Sequence, residues 1–280
     1  MSVKASEIAE FLGAKLYGTD VVVKGVSSVD SPRPYSLLFG RHDTFTLIPA
    51  EYSNCLILAN SSPWRIADPS KLNVGLICIS IPRLAWARVV NNFFGESNSH
   101  FYHRAPGPKL GEWQTEIRFN AEIAEHVIIG NNCLIKSGAC IGQEGFGFEI
   151  DEDGHPLRIP HLGRVVIGNH VEIGCNTVIA RGTIGDTVIH DYVKIDDSVF
   201  VAHNVEIGEN TLVIAKAEIS GSVKIARNCW IGASACIREH ITVGDGALVG
   251  MGAVVVKDVE PGSVVVGNPA RKIRMRRVGE

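Results

Sequence analysis

The sequence predicts a parallel β-helix of hexapeptide repeats with an N-terminal α/β domain. Three observations carry this. Between Ile189 and Val255 every sixth residue is aliphatic: Ile189, Ile195, Val201, Ile207, Val213, Ile219, Ile225, Ile231, Ile237, Val243, Val249 and Val255. Four residues after each of these the side chain is small or of modest size, from Val193, Val199 and Val205 through Thr211, Ala217, Val223, Cys229, Ala235 and Ile241 to Ala247 and Ala253. The first hundred residues carry no such period and mix helical with strand patterns. A six-residue period fits neither a lone strand nor an α-helix. It suits a coil in which each hexad supplies one short strand and one corner, with the aliphatic residue pointing inward. Three hexads close a triangular turn, so residues about eighteen apart stack at roughly the 4.8 Å strand spacing.

Residues 3–12 predict a short amphipathic helix, with Ser6 or an earlier polar residue as cap, Ile8, Phe11 and Leu12 inward, and Gly13 as its end. KLYG (15–18), VVVKGVSSV (21–29) and NCLILA (54–59) read as strands, and VGLICIS (74–80) as a buried one. PRLAWARVVNNFF (82–94) reads as a second helix, with Pro82 in its first turn and Leu84, Val89 and Phe93 on one face. The predicted organisation is an α/β domain over 1–100 and a linker rich in Gly, Pro, Ser and His over 101–118. The β-helix follows over 119–260, then a basic tail over 261–280.

Within the β-helix the repeat starts near Ile123 and continues through Ile129, Ile135 and Ile141. Ile141 to Ile167 spans 26 residues, an insertion of about twenty. FEIDEDGHPLRI (148–159) inside it reads as a hairpin turning at Asp153-Gly154. The repeat resumes at Ile167, Ile173 and Ile179; the ten residues from there to Ile189 read as two hexads tightened by two residues.

A net charge of −3 gives no support to a nucleic-acid partner, and 29 glycines suit a chain that turns often. The seven cysteines form no CxxC pair and no disulfide framework, which predicts a reducing, cytoplasmic setting. The opening MSVKASEIAEFLGAK lacks the apolar run of a signal peptide, and no later stretch has the length to span a bilayer.

Inward positions of such a prism are packed shut, so chemistry belongs on faces and corners. His203, in VAHNV, lies two residues after Val201; the same column one coil on holds Gly221, and the next holds Glu239 beside His240. A histidine stacked on a glycine combines a proton acceptor with a backbone N–H that can approach an oxyanion, which acyl transfer to an amine requires. Two surface histidines and a turn glycine is the other reading of the same spacing. Arg271, Lys272, Arg274, Arg276 and Arg277 can meet phosphates or simply be solvated. His126, His155, His161, His170 and His190 show no metal-ligand spacing, and there is no P-loop, GxGxxG or GxSxG motif.

GQEGFGF (142–148), RIPHLGRVVIGNHVEIGCNTVIARGTIGDTVI (158–189), VKID (193–196), VAHNVEIG (201–208) and ISGS (219–222) closely resemble UDP-3-O-acylglucosamine N-acyltransferase, an acyl-adding step of lipid A synthesis. ASEIAEFLGAKLYG (5–18) and PRLAWAR (82–88) resemble that family's N-terminal uridine-binding domain. The resemblance implies a homotrimer of left-handed parallel β-helices with active sites between subunits. It also implies His203 as catalytic base, Gly221 as oxyanion-hole amide, His240 as a second active-site histidine, and Asp196 as an acidic residue that orients the base. The stretch 37–49, which in the family contacts uracil, keeps aromatics but lacks an Asn-Pro, so Phe39, Phe45 and Tyr52 are the substrate-binding candidates.

Two departures favour a shortened relative. The family's C-terminal helices have no counterpart, and the β-helix reads as short before Ile123. GNPARKIR (267–274) is instead similar to the ending of acetyl-CoA-dependent sugar acetyltransferases, which puts Arg271, Lys272 and Arg274 near a CoA phosphate. The residues between the aliphatic positions read as mostly polar, with no long apolar groove. The expected function is therefore an N-acyltransferase using a thioester donor, acyl-CoA favoured over acyl carrier protein, and the amine of a UDP-linked amino sugar. No tightly bound cofactor is expected. The alternative is the lipid A step itself, with a 3-hydroxyacyl carrier protein as donor. Other classes are a zinc lyase of the carbonic-anhydrase kind, which needs three converging histidines, and a non-catalytic nucleotide-sugar-binding protein.

Overall fold

A computed structural model describes residues 2–29, 31–40, 52–60, 73–94, 109–111 and 114–277. The chain divides into two compact units, one of residues 1–103 with 146–160, the other of 104–145 with 161–280.

The first unit is built on a five-stranded sheet. Strand β1 (Val3–Lys4) leads into helix α1 (Ala5–Phe11), followed by β2 (Leu16–Gly18), β3 (Val22–Val23), β4 (Gly25–Val26), β5 (Ser36–Gly40), β6 (Leu56–Ala59) and β7 (Gly75–Cys78). The sheet order is β2-β7-β6-β5-β4, parallel from β4 to β7, with β2 antiparallel at the edge. Leu56, Ile57, Leu58 and Ala59 are all fully buried, as a parallel strand covered on both faces demands. Strand β5 is an addition to the strands read from the sequence.

Helix α1 buries Ala5, Ile8 and Ala9 and ends with Gly13 at φ +60°. Phe11 is 45 % exposed, contrary to expectation, and meets Phe93 edge-on at 5.3 Å. Ser6 does not cap the helix; its N–H and hydroxyl both donate to the Asp20 carboxylate. Helix α2 (Pro82–Val89) starts at the expected proline and runs into a π-helical turn over Val90–Phe94.

The inserted hairpin, Phe148–Ile150 against Pro156–Arg158, folds with this unit although the sequence places it inside the β-helix. The Asp151 carboxylate holds its turn by accepting from the N–H groups of Asp153 and His155. Opposite charges set its position: Arg83 pairs with Glu149 at 3.2 Å, Arg88 pairs with Glu152, and Asn91 donates to the Arg158 carbonyl. These pairs are exposed and screened by solvent, so they specify placement more than stability.

The second unit is the parallel β-helix, with sheets of seven, seven and nine strands. None of the twelve predicted ladder residues is more than 2 % exposed, and the small residues four positions after them are buried as well. Thr211, in one of those small positions, is accommodated because its hydroxyl donates to the Ala226 carbonyl and accepts from the Cys229 N–H. The third residue after most ladder positions is left-handed, for example Ser198 (φ 58°), Asn204 (60°), Lys216 (63°) and Asn228 (57°), which turns the corner.

Three boundaries differ from the sequence reading. Lys109–Leu110 and Glu116–Ile117 already pair with the next coil, so the β-helix begins inside the expected linker. Seven residues instead of six separate Leu110 from Ile117, which hides the repeat. At the other end Ser263–Val266 continues the nine-stranded sheet, and Arg271–Met275 folds back antiparallel upon it. The expected tail is therefore structured as far as residue 275; its hexad between Val255 and Val259 has lost two residues. Finally, Ile167 pairs with Ile189 and Ile179 with Val201. Both pairs are 22 positions apart, so the step after Ile179 is one hexad enlarged by four residues, not two hexads tightened by two.

Candidate active site

Both enlargements of the β-helix leave from one edge, the corner that follows Cys140–Ile141, Val178–Ile179, Phe200–Val201, Glu218–Ile219 and Cys236–Ile237. Two residues beyond these strands stand Gln143, Arg181, His203, Gly221 and Glu239. The four-residue enlargement closes on itself through glycines: a Cβ on Gly163 or Gly182 would overlap the Gly185 carbonyl. Arg181 fastens it, its N–H donating to the Gln143 carbonyl at 3.0 Å and its Nε to that of Gly163 at 2.7 Å.

His203 is half-buried on this corner. A Cβ on Gly221 would stand 2.8 Å from its Cε1 and 2.9 Å from its Nε2, so only glycine leaves the imidazole its place. Gly221 is needed for space, since its φ lies outside the left-handed region. On the other side His161, 1 % exposed, meets the ring edge-on at 5.4 Å. The His161 N–H donates to the Glu144 carboxylate, and a Cβ on Gly145 would come within 2.9 Å of His161 Nε2. The Nδ1 of His203 lies 3.1 Å from Asn204 Oδ1 and 3.5 Å from the Thr183 hydroxyl.

At some corners the N–H two residues after a ladder position is taken by a side chain one coil on, as in Asn131 to Asn169, Asn169 to Asp191, Cys175 to Asp197 and Arg227 to Asp245, and at others it is left open. Among the described residues the Gly221 N–H has no such partner, while its carbonyl accepts from the His240 N–H. A backbone donor beside an imidazole on an accessible corner can bind a developing oxyanion.

The other expected residues fall elsewhere. Asp196 follows Lys194–Ile195 on a different corner of the same chain, where its carboxylate accepts from the Ala215 N–H and its carbonyl from Thr177. The six-residue step places 196 one corner before 203, so within one chain Asn204 and Thr183, not Asp196, face the base. His240 is exposed and stands in the column of Asn204 and Ser222; among the described residues its imidazole makes no contact with His203.

Lys272 pairs with Glu260 at 2.5 Å and holds that carboxyl below its ordinary range. Arg271 donates to the Ala270 carbonyl and Arg274 to that of Met275. Phe39 packs against Trp86 at 5.5 Å. Tyr52 is a core residue whose hydroxyl donates to the Val29 carbonyl at 2.6 Å, which withdraws it from stacking on a base. Phe45 lies outside the described residues.

The outer faces are less polar than expected. Phe200 (40 % exposed) and Trp230 (38 %) project outward, with Leu212, Leu248, Val178 and Val254 half-buried on the same faces. All seven cysteines are free thiols, and burial pushes those of Cys133 and Cys229 above their ordinary value. Among the described residues no three His, Cys, Asp or Glu side chains converge on a metal site. No described helix is long and apolar enough to cross a membrane.

The site's three unexpected members had uneven signals. Thr183 sits in the ten-residue step, a visible fault in the period, and Asn204 is the neighbour of His203. His161 carried no signal of its own, because a twenty-residue insertion separates it from the column it joins.

The family model for bacterial transferase hexapeptide (six repeats) matches residues 222–257. A UDP-3-O-acylglucosamine N-acyltransferase of Methylobacterium nodulans is 42 % identical over 149 residues, 53 % of this chain and 42 % of that protein. The UDP-3-O-acylglucosamine N-acyltransferase 2 of Legionella pneumophila is 43 % identical over 148 residues, 53 % of this chain and 43 % of its own length. The chain thus spans about two-fifths of the length of these curated relatives. The crystal structure of a UDP-N-acetylglucosamine acyltransferase from Bacteroides fragilis superposes with a TM-score of 0.54 at 23 % identity, over 61 % of this chain and 71 % of that one, a likeness of fold. Over the matched stretch the chain is similar to UDP-3-O-acylglucosamine N-acyltransferases, and residues 222–257 match the hexapeptide repeats of bacterial transferases.

Proposed function

We propose that the protein is an N-acyltransferase that moves an acyl group from a thioester donor to the amine of UDP-3-O-acylglucosamine. The observation that carries this is the imidazole of His203 standing over Gly221, one coil apart, beside an N–H with no described partner. In the proposed reaction the sugar amine attacks the thioester carbonyl, and Nε2 of His203 takes the proton the amine loses. The carbonyl oxygen, negative in the tetrahedral intermediate, is held by the Gly221 N–H. Collapse breaks the C–S bond, and the proton on His203 passes to the departing thiolate.

The relatives' names support the lipid A alternative over a short-chain acyl-CoA enzyme, and two features of the chain point the same way. Lys272 is committed to Glu260, which leaves the expected CoA-phosphate cluster one cation fewer. The outward Phe200 and Trp230 supply apolar surface that a polar solenoid would lack. Residues 1–95 are proposed to hold the uridine, on the resemblance of 5–18 and 82–88; of the three aromatic candidates, Phe39 is the one left in the described part with its ring outside the core cluster. A homotrimer is the proposed assembly.

The test presents one acceptor, UDP-3-O-acylglucosamine, with 3-hydroxymyristoyl carrier protein and with acetyl-CoA in parallel, and follows amide formation by mass spectrometry. A preference of a hundredfold or more in kcat/KM for the carrier protein is expected. Preference for acetyl-CoA would restore the short-chain reading, and no amide from either donor would remove the acyltransferase reading.

A further inference from the structure

A neutral histidine can serve as a base only through the ring nitrogen that lacks the proton, and which one that is depends on what the other nitrogen touches. The surroundings of His203 settle this through Asn204. The amide of Asn204 has one orientation that satisfies its neighbours: Oδ1 accepts from the Thr183 N–H at 3.0 Å, and Nδ2 donates to the Gly185 carbonyl at 3.0 Å. Turning it over would set an NH₂ against an N–H and an oxygen against a carbonyl. The backbone of Asn204 is fixed as well, left-handed at φ 60° with its N–H donating to Thr187 Oγ1 at 2.9 Å.

We infer that Asn204 is a positioning residue that holds His203 in the tautomer protonated on Nδ1, leaving the Nε2 lone pair directed to the site. Oδ1 lies 3.1 Å from Nδ1 and has no hydrogen to give, so Nδ1 must be the donor of that contact. The four-residue enlargement 182–185 then has a purpose in the chemistry. It brings the Thr183 N–H and the Gly185 carbonyl to the two ends of one amide, and Gly182 permits the close approach to the Gly185 carbonyl that does so. Asn204 is only half-buried, so the acceptor oxygen that faces Nδ1 is the feature the role requires.

This inference rests on His203 as the base of the proposed reaction, but its first measurement requires no turnover. The full chain is labelled with ¹⁵N-histidine, and the His203 ring signals are assigned by their loss in His203→Gln. Expected is a pyrrole-like Nδ1 and a pyridine-like Nε2 at a pH where the ring is neutral. A pyridine-like Nδ1 would overturn the inference whether or not the protein acylates anything, and a correct tautomer in an inactive protein would fault the proposed function alone.

The second measurement is kinetic. Asn204→Ala should lower kcat at least tenfold with acceptor KM changed less than threefold, and its histidine should lose the Nδ1–H preference. Asn204→Asp keeps the acceptor for both Nδ1–H and the Thr183 N–H, and should recover at least a third of wild-type kcat. If Asn204→Ala does not fold, the wild-type tautomer and Asn204→Asp still decide. An Asp variant as poor as the Ala variant, or an Ala variant with unaltered kcat and tautomer, overturns the role.

Discussion

The Cα of Gly221 sits so close beneath His203 that a Cβ there would stand 2.8 Å from the imidazole Cε1. A contact under about 3.0 Å forces something to move, and the other atoms it would meet are also on that ring. Gly221→Ala should therefore displace the imidazole and leave the fold intact, because the glycine's φ suits any residue. Misplacement of a reacting group by about 1 Å costs on the order of a hundredfold in rate. A kcat loss of that order with an unchanged melting temperature is expected, read from steady-state rates and a thermal scan of the same preparation.

The inward ladder supplies the stability of the β-helix. Ile231 is fully buried, so Ile231→Ala should cost about 2–5 kcal/mol through lost transfer energy and the cavity left behind. Lys224, exposed on a neighbouring strand, should cost less than about 0.5 kcal/mol on the same change. Denaturant titration of the two variants side by side checks the contrast; equal losses would mean the ladder does not carry the core.

Lys216 is an exposed residue held at φ 63°. Left-handed backbone costs a residue with a Cβ about 1–2 kcal/mol, and the added freedom of glycine in the unfolded chain costs about 0.5–1 kcal/mol. The first figure wins, so Lys216→Gly should stabilise by roughly 0.5–1 kcal/mol. A measured loss would show that the lysine side chain contributes more than its backbone strain.

The thiol of Cys229 is raised by burial, whereas the side chain of Cys175 is partly exposed. Iodoacetamide at pH 8 should modify Cys175 and spare Cys229, read by peptide mass spectrometry. The sign for stability follows from the same shift. A thiol with a folded pKa above its unfolded value binds more protons in the native state, so its contribution is complete below the ordinary thiol value and declines as pH rises through the folded one. Cys229→Ala should accordingly flatten the alkaline arm of the melting curve; an unchanged arm would assign it to other groups.

The β-helix was legible because its core depends on one side chain per hexad, and twelve such residues repeat without a fault. The same strictness hid the ends. One extra residue before Ile117 and two missing ones before Val259 break the count, and both coils fell outside the predicted body. His203 and Gly221 were legible since stacking follows arithmetic. Asn204 was not, because its role depends on where an amide points, and that is set by Thr183 and Gly185 in an enlarged corner. The hairpin was read correctly as a hairpin but in the wrong unit: its partners Arg83, Arg88 and Asn91 lie some sixty residues earlier, with no periodicity to link them. Tyr52 shows the opposite failure, an aromatic in a suggestive stretch that packs into the core.

In the proposed reaction His203 takes the amine's proton. The most direct measurement of this step is kcat for amide formation by His203→Ala and wild type, with UDP-3-O-acylglucosamine and 3-hydroxymyristoyl carrier protein. A positioned base contributes about 10² to 10⁴ in rate, so a loss in that range is predicted, with acceptor binding and oligomeric state preserved. A variant that keeps more than about half of wild-type turnover would contradict the account.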